Sequence, residues 1–164
     1  MMSTIAPASA ALLVLLASTC AQAGSPDAAS RSVARGNFVV AARLLKPLAE
    51  RGHARAQAML GFMYETGQGV PQAYAAASYW YRLAAEQGDT RAQYLLGLAY
   101  DKGHGVQHDV VAAYKWLDLA AAHAPRHISE QFVRVRNAVA SKMSGDQIAA
   151  GQWYALHWPA ESDF

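Results

Sequence analysis

Six histidines, one cysteine and a scatter of carboxylates are the side chains with which this chain could do chemistry. Histidines bind zinc when they share a helix face at a spacing of four and a third ligand stands near. His104 and His108 have that spacing, as do His123 and His127. The first pair straddles a glycine-rich stretch and Pro125 interrupts the second, so neither predicts a regular metal face. Nucleophilic catalysis needs a Ser or Cys in an activating setting, and neither Gly-x-Ser-x-Gly nor Ser-x-x-Lys occurs. Gly67-Gln68-Gly69-Val70 and Gly103-His104-Gly105-Val106 lack the following lysine of a phosphate loop. No pair of carboxylates stands out. The expectation is a protein with no catalytic residue, no cofactor and no metal.

The 164 residues suffice for one compact unit, and 53% apolar against 16% charged residues predicts a folded chain. A net charge of +2 does not point to nucleic acid. Basic residues gather early, at Arg31, Arg35, Arg43, Lys46, Arg51 and Arg55, at spacings that predict a solvated face. Residues 1–26 carry no charged side chain, and an apolar run over residues 10–17 is followed by Ala21-Gln22-Ala23. The run is well short of the about 20 residues that span a bilayer. It predicts instead a signal peptide over residues 1–23, cut after Ala23, and so an exported, periplasmic or secreted protein with no transmembrane segment in the mature chain. Cys20 lies in this leader. Lipid attachment there is the lesser alternative, because Ala17 replaces the usual leucine and Thr19 is atypical. Loss of the leader leaves no thiol, which removes disulfides and thiolate catalysis together.

What positions the remaining residues is an internal repeat. Shifted by 36 places, residues 52–87 agree with residues 88–123 at 16 positions without a gap. Ala56, Leu60 and Tyr64 answer to Ala92, Leu96 and Tyr100, and Gly61 answers to Gly97. Gly67, Gly69, Trp80 and Ala84 answer to Gly103, Gly105, Trp116 and Ala120. Positions four apart share a helix face, so each unit reads as a helix, a Gly-x-Gly turn and a second helix. Gly61, Ala56 and Ala84 allow close backbone approach, with Trp80 and Tyr64 filling the wedge between helices. Matched burial predicts a loss of about 3–5 kcal/mol for each of Trp80→Ala and Trp116→Ala.

These motifs resemble the Sel1-like repeat, a relative of the tetratricopeptide repeat. Ala56-Gln57, Leu60-Gly61, Tyr64, Gly67-Gln68-Gly69-Val70, Ala76, Trp80 and Ala84-Ala85-Glu86-Gln87-Gly88 carry the pattern. The second copy departs at its end, where Ala124-Pro125 replaces the closing glycine. The acidic residue that often follows the turn is Asp109 in the second copy and Ala73 in the first, a departure expected to loosen the first turn. The resemblance implies an all-α fold, a short right-handed α-α solenoid of hairpins with C-terminal capping helices. Its expected divisions are an incomplete repeat at 24–52, repeats at 53–88 and 89–124, capping helices at 125–158 and a tail at 159–164. Within the first, Ser25 and Pro26 open a short helix, and Pro47 is expected to kink the next. In the cap, Ile128, Phe132, Val135 and Val139 share a face, and Ser144 with Gln147 forms a capping box before Ile148, Trp153 and Tyr154.

By that resemblance the protein is an extracytoplasmic scaffold that holds a protein or peptide segment along its first helices. Arg55, Gln57, Arg91 and Gln93, near the starts of those helices, are the expected groove residues. Two alternatives stand beside it. One is a constitutive structural subunit of an envelope complex. The other is an enzyme of the β-lactam-hydrolysing Sel1 type, which the absence of paired cysteines disfavours.

Overall fold

Glycine marks most of the chain reversals. Among the described residues seven glycines take a positive φ, and six of the seven recur in pairs 36 residues apart once Gly36 is set aside: Gly52 with Gly88, Gly67 with Gly103, Gly69 with Gly105. A computed structural model describes residues 26–158, and every regular element among them is an α-helix. They are α1 (Pro26–Ala34), α2 (Phe38–Glu50), α3 (Ala54–Thr66), α4 (Tyr74–Glu86), α5 (Thr90–Lys102), α6 (Val110–His123), α7 (Arg126–Ala140) and α8 (Gly145–Leu156). The leader, Cys20, Ser25 and the tail after residue 158 lie outside the described residues.

Each helix packs on the next from α1 to α7, which gives three hairpins in a row, α1–α2, α3–α4 and α5–α6. Within a hairpin the turn is closed the same way twice. The Gly67 and Gly103 amides donate to Met63 and Ala99 carbonyls, and the Ala73 and Asp109 amides reach back to Tyr64 and Tyr100 at 2.9 and 3.1 Å. Asp109 adds a side-chain cap, its Oδ1 accepting from the Val111 and Ala112 amides. Ala73 cannot. In the first repeat Gln72 Nε2 instead donates to the Glu65 carbonyl at 2.7 Å, so the turn expected to be loose is tied from a different side chain.

Between hairpins, the second glycine of each turn sets the register. A Cβ on Gly69 would overlap the Phe38 carbonyl at the start of α2, and one on Gly105 would overlap the Tyr74 carbonyl at the start of α4. Phe38 and Tyr74 are themselves 36 apart, so the period extends into the incomplete first repeat. Stacking is thus nearest-neighbour, as a solenoid requires.

The core runs along the array in clusters. Leu45, Leu48, Leu60 and Met63 anchor the first, and Trp80 packs on it half-buried. Tyr81, Ala84, Leu96 and Trp116 form the second. Each tryptophan therefore lies against the preceding repeat, but not to equal depth, since Trp116 is only 4% exposed. The wedge within the α3–α4 hairpin is filled by Tyr81, whose ring rests 2.7 Å from where a Gly61 Cβ would sit, and not by Trp80 with half-buried Tyr64. In the next hairpin Leu117 occupies the same place against Gly97.

The helix α2 runs through Pro47 without unwinding, to Glu50, although the proline removes one backbone hydrogen bond. Both α7 and α8 pack on α6, with α8 opened by the reciprocal Ser144–Gln147 capping box. Phe132 and Val139 of α7 are buried and Ile148 of α8 packs on the same cluster as Val139, while Trp153 and Tyr154 are exposed.

Candidate functional site

The odd-numbered helices share one side of the array. Along them runs an open groove of about 990 Å³, contributed to by α1, the start of α2, α3, α5, the end of α6 and α7. Residues 55, 58, 59 and 62 line it from α3, a spacing of three, four and seven that keeps one helix face inward. Residues 91, 94 and 95 do the same from α5. The floor is apolar, with Met59, Phe62 and Leu95 at its centre, and Phe62 is 44% exposed for a residue of its size. At the far end Tyr94 stacks on Phe132 with ring centroids 4.2 Å apart, joining α5 to α7 as a wall.

The rim is mostly basic. Arg55 and Arg91 are exposed at equivalent places in the first turns of α3 and α5, and His127 joins them from α7. Asp89 is the one carboxylate among the described lining residues, and its Oδ1 accepts the Ala92 amide at 2.8 Å as the cap of α5. Arg31, Arg35, Arg43, Lys46 and Arg51 are exposed elsewhere, on the solvated face expected of them.

Of the four residues expected in the groove, the structure brings two there. Gln57 and Gln93 are 3% and 4% exposed and point the other way. Their Nε2 atoms donate to the Ala49 and Ala85 carbonyls, tying each hairpin to the end of the preceding one. The reason is angular: residues two apart on an α-helix lie about 200° apart around its axis, so Arg55 and Gln57 cannot share a face. The floor residues Met59, Phe62, Tyr94 and Leu95 were missed, although their spacing from Arg55 and Arg91 was a usable signal.

The two glutamines differ in one respect. Gln57 Oε1 accepts from Gln87 Nε2 at 2.7 Å, whereas buried Gln93 Oε1 has no partner among the described residues. The place of Gln87 is taken by His123, whose Nδ1 pairs with the Leu119 carbonyl. A second cavity of about 490 Å³ lies beside this position, between α4, α6 and the end of α8.

Two ionisable groups are displaced from their ordinary range. The Tyr81 hydroxyl donates to Glu65 Oε2 at 2.6 Å, and burial, then that carboxylate, pushes its pKa well up. Lys115 Nζ lies 3.3 Å from the Trp158 ring centroid and 4.4 Å from that of Trp116. Both indoles favour the ammonium, but burial between them is the larger effect and lowers it to about 8, against the opposing pull of Glu86. Neither group faces the groove. Among the described residues no cluster of three His, Cys, Asp or Glu side chains could hold a metal ion, and no helix is long and apolar enough to cross a membrane. What the groove can do is bind: an apolar floor with a cationic rim suits a polypeptide segment.

The family model for the Sel1 repeat matches residues 54–89 and 90–124. Among solved structures, c5321, a protective antigen present in uropathogenic Escherichia coli strains that displays an SLR fold, is 30% identical with a TM-score of 0.68. That match covers 73% of this chain and 25% of the antigen. A Sel1 repeat protein from Oxalobacter formigenes is 28% identical with a TM-score of 0.66, over 79% of this chain and 53% of its own. The chain thus spans a quarter of one relative and about half of the other. No curated protein matches the sequence. Residues 54–124 thus carry two consecutive Sel1 repeats, in the hairpin stack their solved relatives share.

Proposed function

We propose that this protein is an extracytoplasmic interaction scaffold that holds a segment of a protein partner in the groove along its odd-numbered helices. Sel1 repeat proteins generally mediate protein–protein interaction. The observation that carries the groove is its continuity: one apolar-floored channel crosses three hairpins and reaches the cap, with Phe62 left open to solvent at its centre. Large exposed apolar surface with a polar rim is the signature of an interaction site. Export rests on the uncharged leader, its apolar run and Ala21-Gln22-Ala23. The reading assigns no catalytic step to any residue, and Arg55 and Arg91 are its binding residues.

A photo-crosslinking side chain placed at Met59 tests the groove, with Tyr79 on the exposed face of α4 as the control position. Crosslinks to one protein partner from position 59 and none from position 79 support the reading. The reverse pattern refutes it. Sequencing the N-terminus of the secreted protein tests export, and a mature chain beginning at Gly24 is expected.

A further inference from the structure

From the groove's own charges we infer its occupant: an acidic, amphipathic segment of a partner protein, whose carboxylates meet Arg55 and Arg91 while its apolar side chains cover Met59, Phe62 and Leu95. The inference rests on the groove reading above and adds the partner's chemistry to it. Three observations carry it. First, Arg55 and Arg91 make no hydrogen bond or ion pair with any described residue, although Arg136 and Lys142 on the same protein pair with Asp118 and Asp101. Second, Asp89, the only carboxylate among the described lining residues, is already engaged in capping α5. The rim therefore carries uncompensated positive charge beside an apolar floor. Third, both arginines stand in the first turn of a helix, where the helix dipole disfavours a cation. Helix stability does not account for placing them there twice, in register, whereas a bound anion facing both would. Ionic contacts of this kind set specificity and association rate, and the apolar floor supplies most of the affinity.

The test is selection of a randomised, displayed peptide library on the folded protein, repeated on an Arg55→Glu/Arg91→Glu variant and on Phe62→Glu. All three positions are exposed, so the fold is expected to survive, and circular dichroism checks it. Peptides selected on the parent are expected to show an Asp and Glu excess of about three- to fivefold over the library, reversing to Lys and Arg on the double variant. Raised salt should weaken the parent's binders. Selected peptides with no charge bias, or a bias unchanged in the double variant, overturn the inference, as does a failure to select any. If such unbiased peptides are lost with Phe62→Glu, the groove reading survives its partner's chemistry. If peptides bind Phe62→Glu as well as the parent, the groove reading itself fails. Self-association abolished by Phe62→Glu would assign the groove to a second copy of the chain and overturn the acidic partner.

Discussion

Replacing Gly69 with alanine separates two reasons for a glycine that usually act together. Gly69 has φ +74°, a left-handed conformation that costs an L side chain about 1–2 kcal/mol. Gly52 has φ +89° and carries the same kind of cost. The surroundings differ. Nothing lies within 4 Å of a Cβ on Gly52, whereas a Cβ on Gly69 falls 2.7 Å from the Val39 amide nitrogen and overlaps the Phe38 carbonyl. Those atoms are backbone at the start of α2, so no rotamer change relieves the overlap. The two hairpins must separate, and such overpacking typically costs a further 1–3 kcal/mol or about that. Gly69→Ala is therefore expected to lose about 2–5 kcal/mol and Gly52→Ala about 1–2 kcal/mol. Urea titrations followed by circular dichroism measure both. Gly67→Ala is a further control, since its nearest neighbour is the Gln72 Cβ at 3.4 Å. If Gly69→Ala loses no more than Gly52→Ala, the inter-hairpin register described here is wrong.

The remaining predictions concern the core, the cap and one titrating lysine. Trp116→Ala should cost about 3–5 kcal/mol and Trp80→Ala clearly less, because Trp80 is half-buried; equal losses in thermal melts would contradict the depths assigned to them. His123→Gln should stabilise by about 1 kcal/mol by giving Gln93 Oε1 the donor that Gln87 gives Gln57, and an unchanged or lower urea midpoint would speak against that pairing. Between about pH 8 and 10.5 the unfolded chain holds a proton that folded Lys115 has released, so unfolding takes up a proton and stability rises with pH across that window. The rise is at most about 1 kcal/mol, since the ammonium is partly exposed, and it should vanish in Lys115→Met; a parent curve flat up to pH 10 would refute it. Above about 10 the Tyr81 hydroxyl, held protonated in the fold, acts in the opposite direction, so the measurement ends there.

Most of the fold was legible because packing in a solenoid repeats while surface does not. Gly61 with Gly97, Gly69 with Gly105 and Ala84 with Ala120 match because identical backbone approaches recur at each step. The same logic explains the errors. Gln57 and Gln93 match between copies, but so do Arg55 and Arg91, and only the angle around the helix separates the pair that packs from the pair that lines the groove. Tyr81 was missed because its counterpart is Leu117: two side chains of different shape fill equivalent sites, which a search for identity passes over. The groove floor was passed over for a like reason, since Met59 answers to Leu95 and Ala58 to Tyr94. The α8 placement was not legible, because it depends on contacts with α6 that no local pattern encodes.

The packing of the last described helices bears on what the groove can accept. A hairpin there would have extended the odd-numbered row. Instead α8 turns back on α6, and Trp158 meets Trp116 edge-on with centroids 4.9 Å apart, while the Tyr94–Phe132 stack closes the groove at α7. Among the described residues the row consists of α1, α3, α5 and α7. With only Arg55 and Arg91 to fix charge along it, discrimination between partners depends on the floor, and there the two repeats differ most. Met59 beside Ala58 leaves a flexible, open stretch over α3, whereas Leu95 beside the stacked Tyr94 makes a stiffer one over α5. A partner segment read in one direction therefore meets a different surface from the same segment reversed, and it is the departures from the repeat that give the groove a polarity.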